Sequence, residues 1–99
     1  MFDSLGYDDF TKIENTKFKV LDMPETVELE LYEVSERKIT TRQEVFSLWL
    51  KTPLKYLLEQ GVYRLNHEEL GDGELFIVPV EKTENAFIYQ AVFNRLVKS

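Results

Sequence analysis

No cysteine occurs in the chain. Disulfides, thiolate metal sites and a cysteine nucleophile are therefore excluded, and the composition fits a reducing compartment. Positive charge is scarce as well. Lys and Arg number 12 against 18 Asp and Glu, a formal net charge of −6. A phosphate-binding surface needs Lys and Arg to displace counterions, so this balance argues against nucleic acid as a partner. A local basic patch remains around Arg37, Lys38 and Arg42. No stretch approaches the roughly 20 apolar residues of a membrane span. The amino end, MFDSLGYDDF, is acidic where a secretory signal is basic, and no long apolar run follows it. The expected location is cytoplasmic, or reached by a route that needs no cleaved signal, with no membrane as partner.

What is present describes a folded domain. The 99 residues are 43% hydrophobic and 13% aromatic. That suffices for one domain, 1–99 with its core in 7–96, that buries a core without staples. There is no internal repeat, low-complexity tract or linker.

Tyr7, Phe10 and Ile13 are three apart, which predicts a helix of one to two turns with Asp8 and Asp9 in its first turn. Alternation then takes over. Strand signals fall at 17–21, 26–37, 43–51, 62–67, 74–80 and 86–96. In TVELELYEVSER the apolar residues hold odd positions through Leu31, then shift to even ones at Tyr32 and Val34. A one-residue phase change moves every later side chain to the other face, so a β-bulge is predicted near Leu31–Tyr32. Phe46, Leu48 and Leu50 share one face of the third strand; Val45, Ser47 and Trp49 share the other. TPLKYLLEQG reads as a short helical turn or an apolar loop over one end of the sheet. Gly71 and Gly73 are available for positive φ. ELFIVPV is apolar enough to be covered on both faces, with Pro79 at an edge or bulge. Phe87, Tyr89, Ala91 and Phe93 share a face of the last strand. About six strands with regular turn signals predict an all-β fold, an antiparallel small barrel or sandwich with a short N-terminal helix.

The densest polar cluster is NHEELGDGE, holding His67, Glu68, Glu69, Asp72 and Glu74. Imidazole and carboxylates suit a divalent cation. Neighbours on a strand end point to opposite faces, however, and the spacing is not that of a calcium loop. The competing reading has His67 follow Tyr63 and Leu65 inward, capping the core and hydrogen-bonding a turn backbone. No metal or other cofactor is expected. Nucleophilic catalysis would need Ser47 and His67 to meet, and no nucleophile elbow surrounds Ser47. No catalytic residue is assigned. The carboxylates Glu28, Glu30, Glu33 and Glu36 are either a negative surface for a basic partner or an exposed strand face. In the second case Lys17, Lys19 and Arg64 are the candidates to lie opposite them.

Trp49 points away from the Phe46–Leu48–Leu50 face. With Val45, Tyr56 and Leu57 it forms a candidate protein-binding surface, because such residues supply hot spots. The alternative is a second small core with the 54–60 loop folded over Trp49. Tyr63, His67 and Tyr89 are candidates to line a ligand pocket.

The second half of the chain also carries a recognisable phrase. Phe46–Ser47–Leu48 with Pro53 is followed by Gln60, Gly61, Tyr63, Leu65, His67, Leu70 and Gly71. Leu75, Phe76, Val78 and Pro79 come next, then Tyr89 with Ala91 to Asn94. Over residues 7–94 the chain resembles a family of small uncharacterised bacterial proteins grouped as a domain of unknown function. It departs from that pattern at Asp72–Gly73, where a shorter link is typical, and at Gln90, where an acidic residue is expected. The resemblance implies no chemistry. Relatives are associated with genes beside phage tail-collar or tail-fibre-like proteins, which implies an accessory or assembly role.

The expected function is therefore a non-enzymatic binding or assembly module that docks onto another protein, with acidic residues steering a basic partner. Edge strands also allow pairing with a partner strand or another copy, as a homo-oligomer. The alternatives are a small-molecule or carbohydrate-binding barrel, and an acidic inhibitor of a nucleic-acid-handling protein.

Overall fold

A computed structural model describes Phe2 and residues 5–96, with the side chain of Glu36 outside the description. Among the described residues, one α-helix, α1 (Tyr7–Thr11), precedes six strands: β1 (Thr16–Val20), β2 (Val27–Ile39), β3 (Gln43–Pro53), β4 (Gly61–His67), β5 (Gly71–Lys82) and β6 (Ala86–Leu96). The strands close into a barrel in the order β1-β2-β3-β6-β5-β4. Every neighbouring pair is antiparallel. Between a barrel and a sandwich, the fold is the barrel, which leaves no full-length open edge.

Alternation explains the inside. Phe18, Leu29, Leu31, Phe46, Leu48, Leu50, Leu65, Ile77 and Tyr89 are all fully buried. The phase change in β2 is a register shift between Leu31 and Glu33, as predicted, and returns Val34 to the interior. A second shift lies between Ser35 and Lys38. Pro79 marks a third irregularity, between Pro79 and Glu81 on β5. Bulges of this kind increase twist and curvature, which a narrow closed sheet requires.

The two ends are plugged differently. At one, α1 and its flanks insert Phe2, Phe10 and Ile13 into the core. Asp9 caps this helix by accepting the Gly6 N–H at 2.8 Å. At the other end, residues 54–60 cross from β3 to β4. This stretch forms no helix; it is an apolar loop that buries Leu58 and packs Tyr56 on the core. The β5 expectation needs correction. Phe76 is 49% and Val80 47% exposed, because a barrel has one interior and, among the described residues, no element covers the outside of β5. Of the two glycines, only Gly71 has positive φ, at 81°. Gly73 serves close approach instead: an added Cβ would lie 2.6 Å from the Phe2 ring.

Candidate functional site

His67 sits at the end of β4, 3% exposed, with its ring against Phe18. Its Nδ1 accepts the N–H of Glu69 at 3.0 Å and of Leu70 at 3.3 Å. The ring proton therefore belongs on Nε2, which lies 2.7 Å from Thr16 Oγ1. That hydroxyl donates onward to the Ile13 carbonyl at 2.6 Å. His67 thus ties the β4–β5 turn to the start of β1, the arrangement of a core-capping histidine. Among the described residues, no group of three His, Asp or Glu side chains is arranged to hold a metal ion.

The structure does not unite His67 with Ser47. Ser47 lies on the face of β3 opposite Phe46 and Leu48 but is itself only 3% exposed, and its Oγ accepts from Gln90 Nε2 at 2.9 Å. β3 and β4 are not neighbours in the barrel. Nor do Tyr63, His67 and Tyr89 line one pocket. Tyr89 Oη binds the Leu58 N–H at 2.9 Å and Thr52 Oγ1 at 3.1 Å, holding the 54–60 loop. Tyr63 Oη donates to the Glu59 carbonyl at 2.7 Å. Burial, then the nearby Glu59 charge, raises the Tyr63 hydroxyl above its usual value. Both tyrosines serve the loop end of the barrel, whereas His67 serves the end closed by the N-terminal segment.

Glu44 escaped the sequence reading. It occupies an inward position of β3 and is 3% exposed. Arg37 binds its Oε2 at 2.7 Å and Arg95 its Oε1 at 3.0 Å. Arg37 also lies over the Tyr7 ring, at 4.8 Å. Burial alone would raise the Glu44 carboxyl; the hydrogen bonds and charges of the two arginines prevail and hold it below its usual range. Arg37 is thus committed to an internal carboxylate and is not part of a free basic patch. The signal was an acidic residue in phase with Phe46, Leu48 and Leu50.

The glutamates of β2 largely face lysines. Lys17 pairs in register with Glu30, Glu30 with Lys51, and Lys19 with Glu28. Arg64 is not part of this row, because β4 does not adjoin β2; it bonds Asp22 at 2.7 Å. Two open clefts flank the row, of about 310 and 460 Å³, sharing Lys17 and Glu28. Their walls carry both signs of charge.

Trp49 is half-buried on the outer face, and its Nε1 donates to Ser35 Oγ at 2.8 Å. It lies in register with Glu33 and Gln90. Val45 is on the same face, opposite Asn94. Tyr56 is not, since it packs on the core; Leu57 is exposed on the loop. The larger exposed apolar surface is on β4, β5 and β6. Val62 and Phe76 are cross-strand partners, 63% and 49% exposed. Val92 on β6 is 60% exposed and lines a cleft of about 210 Å³ with Phe76, Glu74 and Arg95.

That cleft marks a parting in the barrel wall. β5 pairs with β4 from Gly71 to Ile77, and with β6 only from Val78 to Lys82. β6 pairs with β3 along its whole length, and with β5 only from Phe87 to Gln90. The N-terminal segment seals the parting from inside. Phe2 lies on Gly73 of β5, Gly6 against Arg95 of β6, and Phe10 is 4.8 Å from the Phe93 ring.

No helix among the described residues is long and apolar enough to cross a membrane. No curated protein and no solved structure matches the chain. A family model does match, over residues 5–93, nearly the span over which the sequence phrase was read. The chain belongs to the family described as a domain of unknown function (DUF6916).

Proposed function

We propose that this domain is a non-enzymatic docking module that binds another protein through the outer face of β4, β5 and β6. The observation that carries this reading is that Phe76 and Val92, both exposed, line one cleft between β5 and β6, with exposed Val62 of β4 in register beside Phe76. Exposed apolar residues that gather in this way mark binding surfaces more often than scattered ones do. Trp49 and Val45 flank the face by way of their register partners Gln90 and Asn94 on β6. The non-enzymatic part is supported by the separation of Ser47 from His67 and by the structural partners of His67. The acidic-inhibitor reading has less support, because Glu28 and Glu30 face lysines. A ligand inside the barrel has less too, because the interior is filled with side chains.

A tail-like assembly is the narrower form of the proposal, and it rests on the sequence resemblance. A cytoplasmic setting is proposed on the missing cysteine.

The test is capture of partners by tagged protein from the native host at low and moderate salt, read by mass spectrometry, with Val92→Asp as control. One stoichiometric partner, lost in the variant, is the expected result. No partner at either salt concentration would sink the proposal. The identity of the partner decides the tail-assembly reading.

A further inference from the structure

The docking face is bordered by open strand edges. β5 from Gly71 to Ile77 and β6 from Ala91 to Leu96 each have a strand on one side only among the described residues. No turn, loop or cap backbone hydrogen bond reaches either stretch among the described residues. Backbone N–H and C=O groups on such edges are open to pairing with an added strand. The N-terminal segment closes the core beneath them through Phe2 and Phe10.

We infer that the partner contributes an extended segment that adds as a β-strand at the parting of β5 and β6. This rests on the docking reading above and specifies its chemistry. Along β6, Val92, Asn94 and Leu96 alternate on the outer face, with Val92 and Leu96 exposed. An added strand lays alternate side chains beside these. Its apolar residues meet Val92 and Phe76. Its charged residues are basic: Glu74 lines the cleft and makes no ion pair among the described residues, while Arg95 is occupied by Glu44. The net charge of −6 favours the same sign of partner. Glu74 and Phe76 share the outer face of β5, with buried Leu75 between them, so the occupant is an extended segment whose outward positions carry apolar and basic residues in turn, with small residues at the positions between.

The probe is a synthetic peptide of about eight residues in which Val and Lys take the outward positions in turn, with Thr at each position between, long enough to run along Ala91–Leu96. Full-length protein is titrated with it, and amide exchange is followed by NMR. The expected result is slower exchange at open-edge amides within 74–77 and 91–96. N-methylation of the peptide nitrogens along one edge should weaken binding about tenfold or more, because side chains are kept while backbone donors are lost. Three results would overturn the inference: no binding at millimolar peptide, equal binding of the methylated peptide, or protection confined to other amides. Concentration-dependent protection of the same amides without peptide would make a second copy the occupant, and would also overturn it. The docking reading is judged separately. If Val92→Asp abolishes capture of the host partner while these amides still exchange freely in the wild-type complex, docking stands and strand addition fails.

Discussion

His67 and Thr16 are joined by a hydrogen bond of 2.7 Å across 51 positions of sequence. The bond links the end of β4 to the start of β1, where those strands share only the Lys19–Asn66 and Val20–Leu65 pairs. The closure of the barrel is therefore supplemented by side chains at its weakest ladder. Thr16→Val keeps the shape and removes the hydroxyl, leaving the Nε2 proton of His67 buried without an acceptor. The expected loss is about 1–3 kcal/mol, measured by urea unfolding, with Thr16→Ser close to wild type. Equal stability of the two variants would remove the hydrogen bond from the account.

Glu44 makes stability depend on acid. Its folded carboxyl titrates below the ordinary value because of Arg37 and Arg95. Its contribution is therefore present above the ordinary carboxyl range and is lost as pH falls through the lower, folded value. Glu44→Gln should flatten that part of the acid-unfolding curve while lowering stability near neutral pH. Removing the side chain in Glu44→Ala should cost about 2–3 kcal/mol, as for hydrogen bonds to a charged group. An unchanged acid limb in Glu44→Gln would refute the assignment.

Gly73 is required for space and not for backbone conformation. Gly73→Ala puts a methyl group into the Phe2 ring and should cost about 1–3 kcal/mol through overpacking. In a Phe2→Ala background the same substitution should cost much less. A double-mutant cycle in thermal unfolding measures the difference. Additive effects would show that the ring does not lie on Gly73 in solution.

Trp49 is the single tryptophan of the chain, so its fluorescence reports on the outer face of β3 alone. Ser35→Ala removes the acceptor of its indole N–H. A shifted emission maximum and a loss of about 0.5–1.5 kcal/mol are expected. Deletion of the 54–60 loop contact by Leu58→Ala should destabilise the fold by about 2–5 kcal/mol but leave the native Trp49 emission in place. A native emission change in Leu58→Ala would put the loop over Trp49 after all.

Val92→Asp and Phe76→Asp lie on the exposed face and should change stability by only about 0.5 kcal/mol. Thermal unfolding checks this. A large loss would mean that these side chains are covered in the folded chain, and would weaken the docking face at its root.

Most of the barrel was legible because period-2 alternation is a local property. The bulge at Leu31–Glu33 was readable for the same reason: a phase slip in the pattern has few other accommodations. β6 was read at its observed bounds, Ala86–Leu96, since a turn signal and the inward series to Phe93 delimit it. The 54–60 stretch was left between a helical turn and an apolar loop because Leu54, Leu57 and Leu58 have helical spacing; it is the loop, with Leu58 buried.

The chain by itself determined the all-β class, the inward faces of β3 and β6, and the family, because each is carried by residue patterns along the chain. Only the tertiary structure decided which strands adjoin. That placed Lys17 and Lys51 beside Glu30 and sent Arg64 to Asp22, gave Glu44 its two arginines, separated Tyr63 and Tyr89 from His67, and parted β5 from β6 around Phe2 and Phe10. These facts depend on the order in which strands close a barrel, and period-2 alternation carries no information about that order.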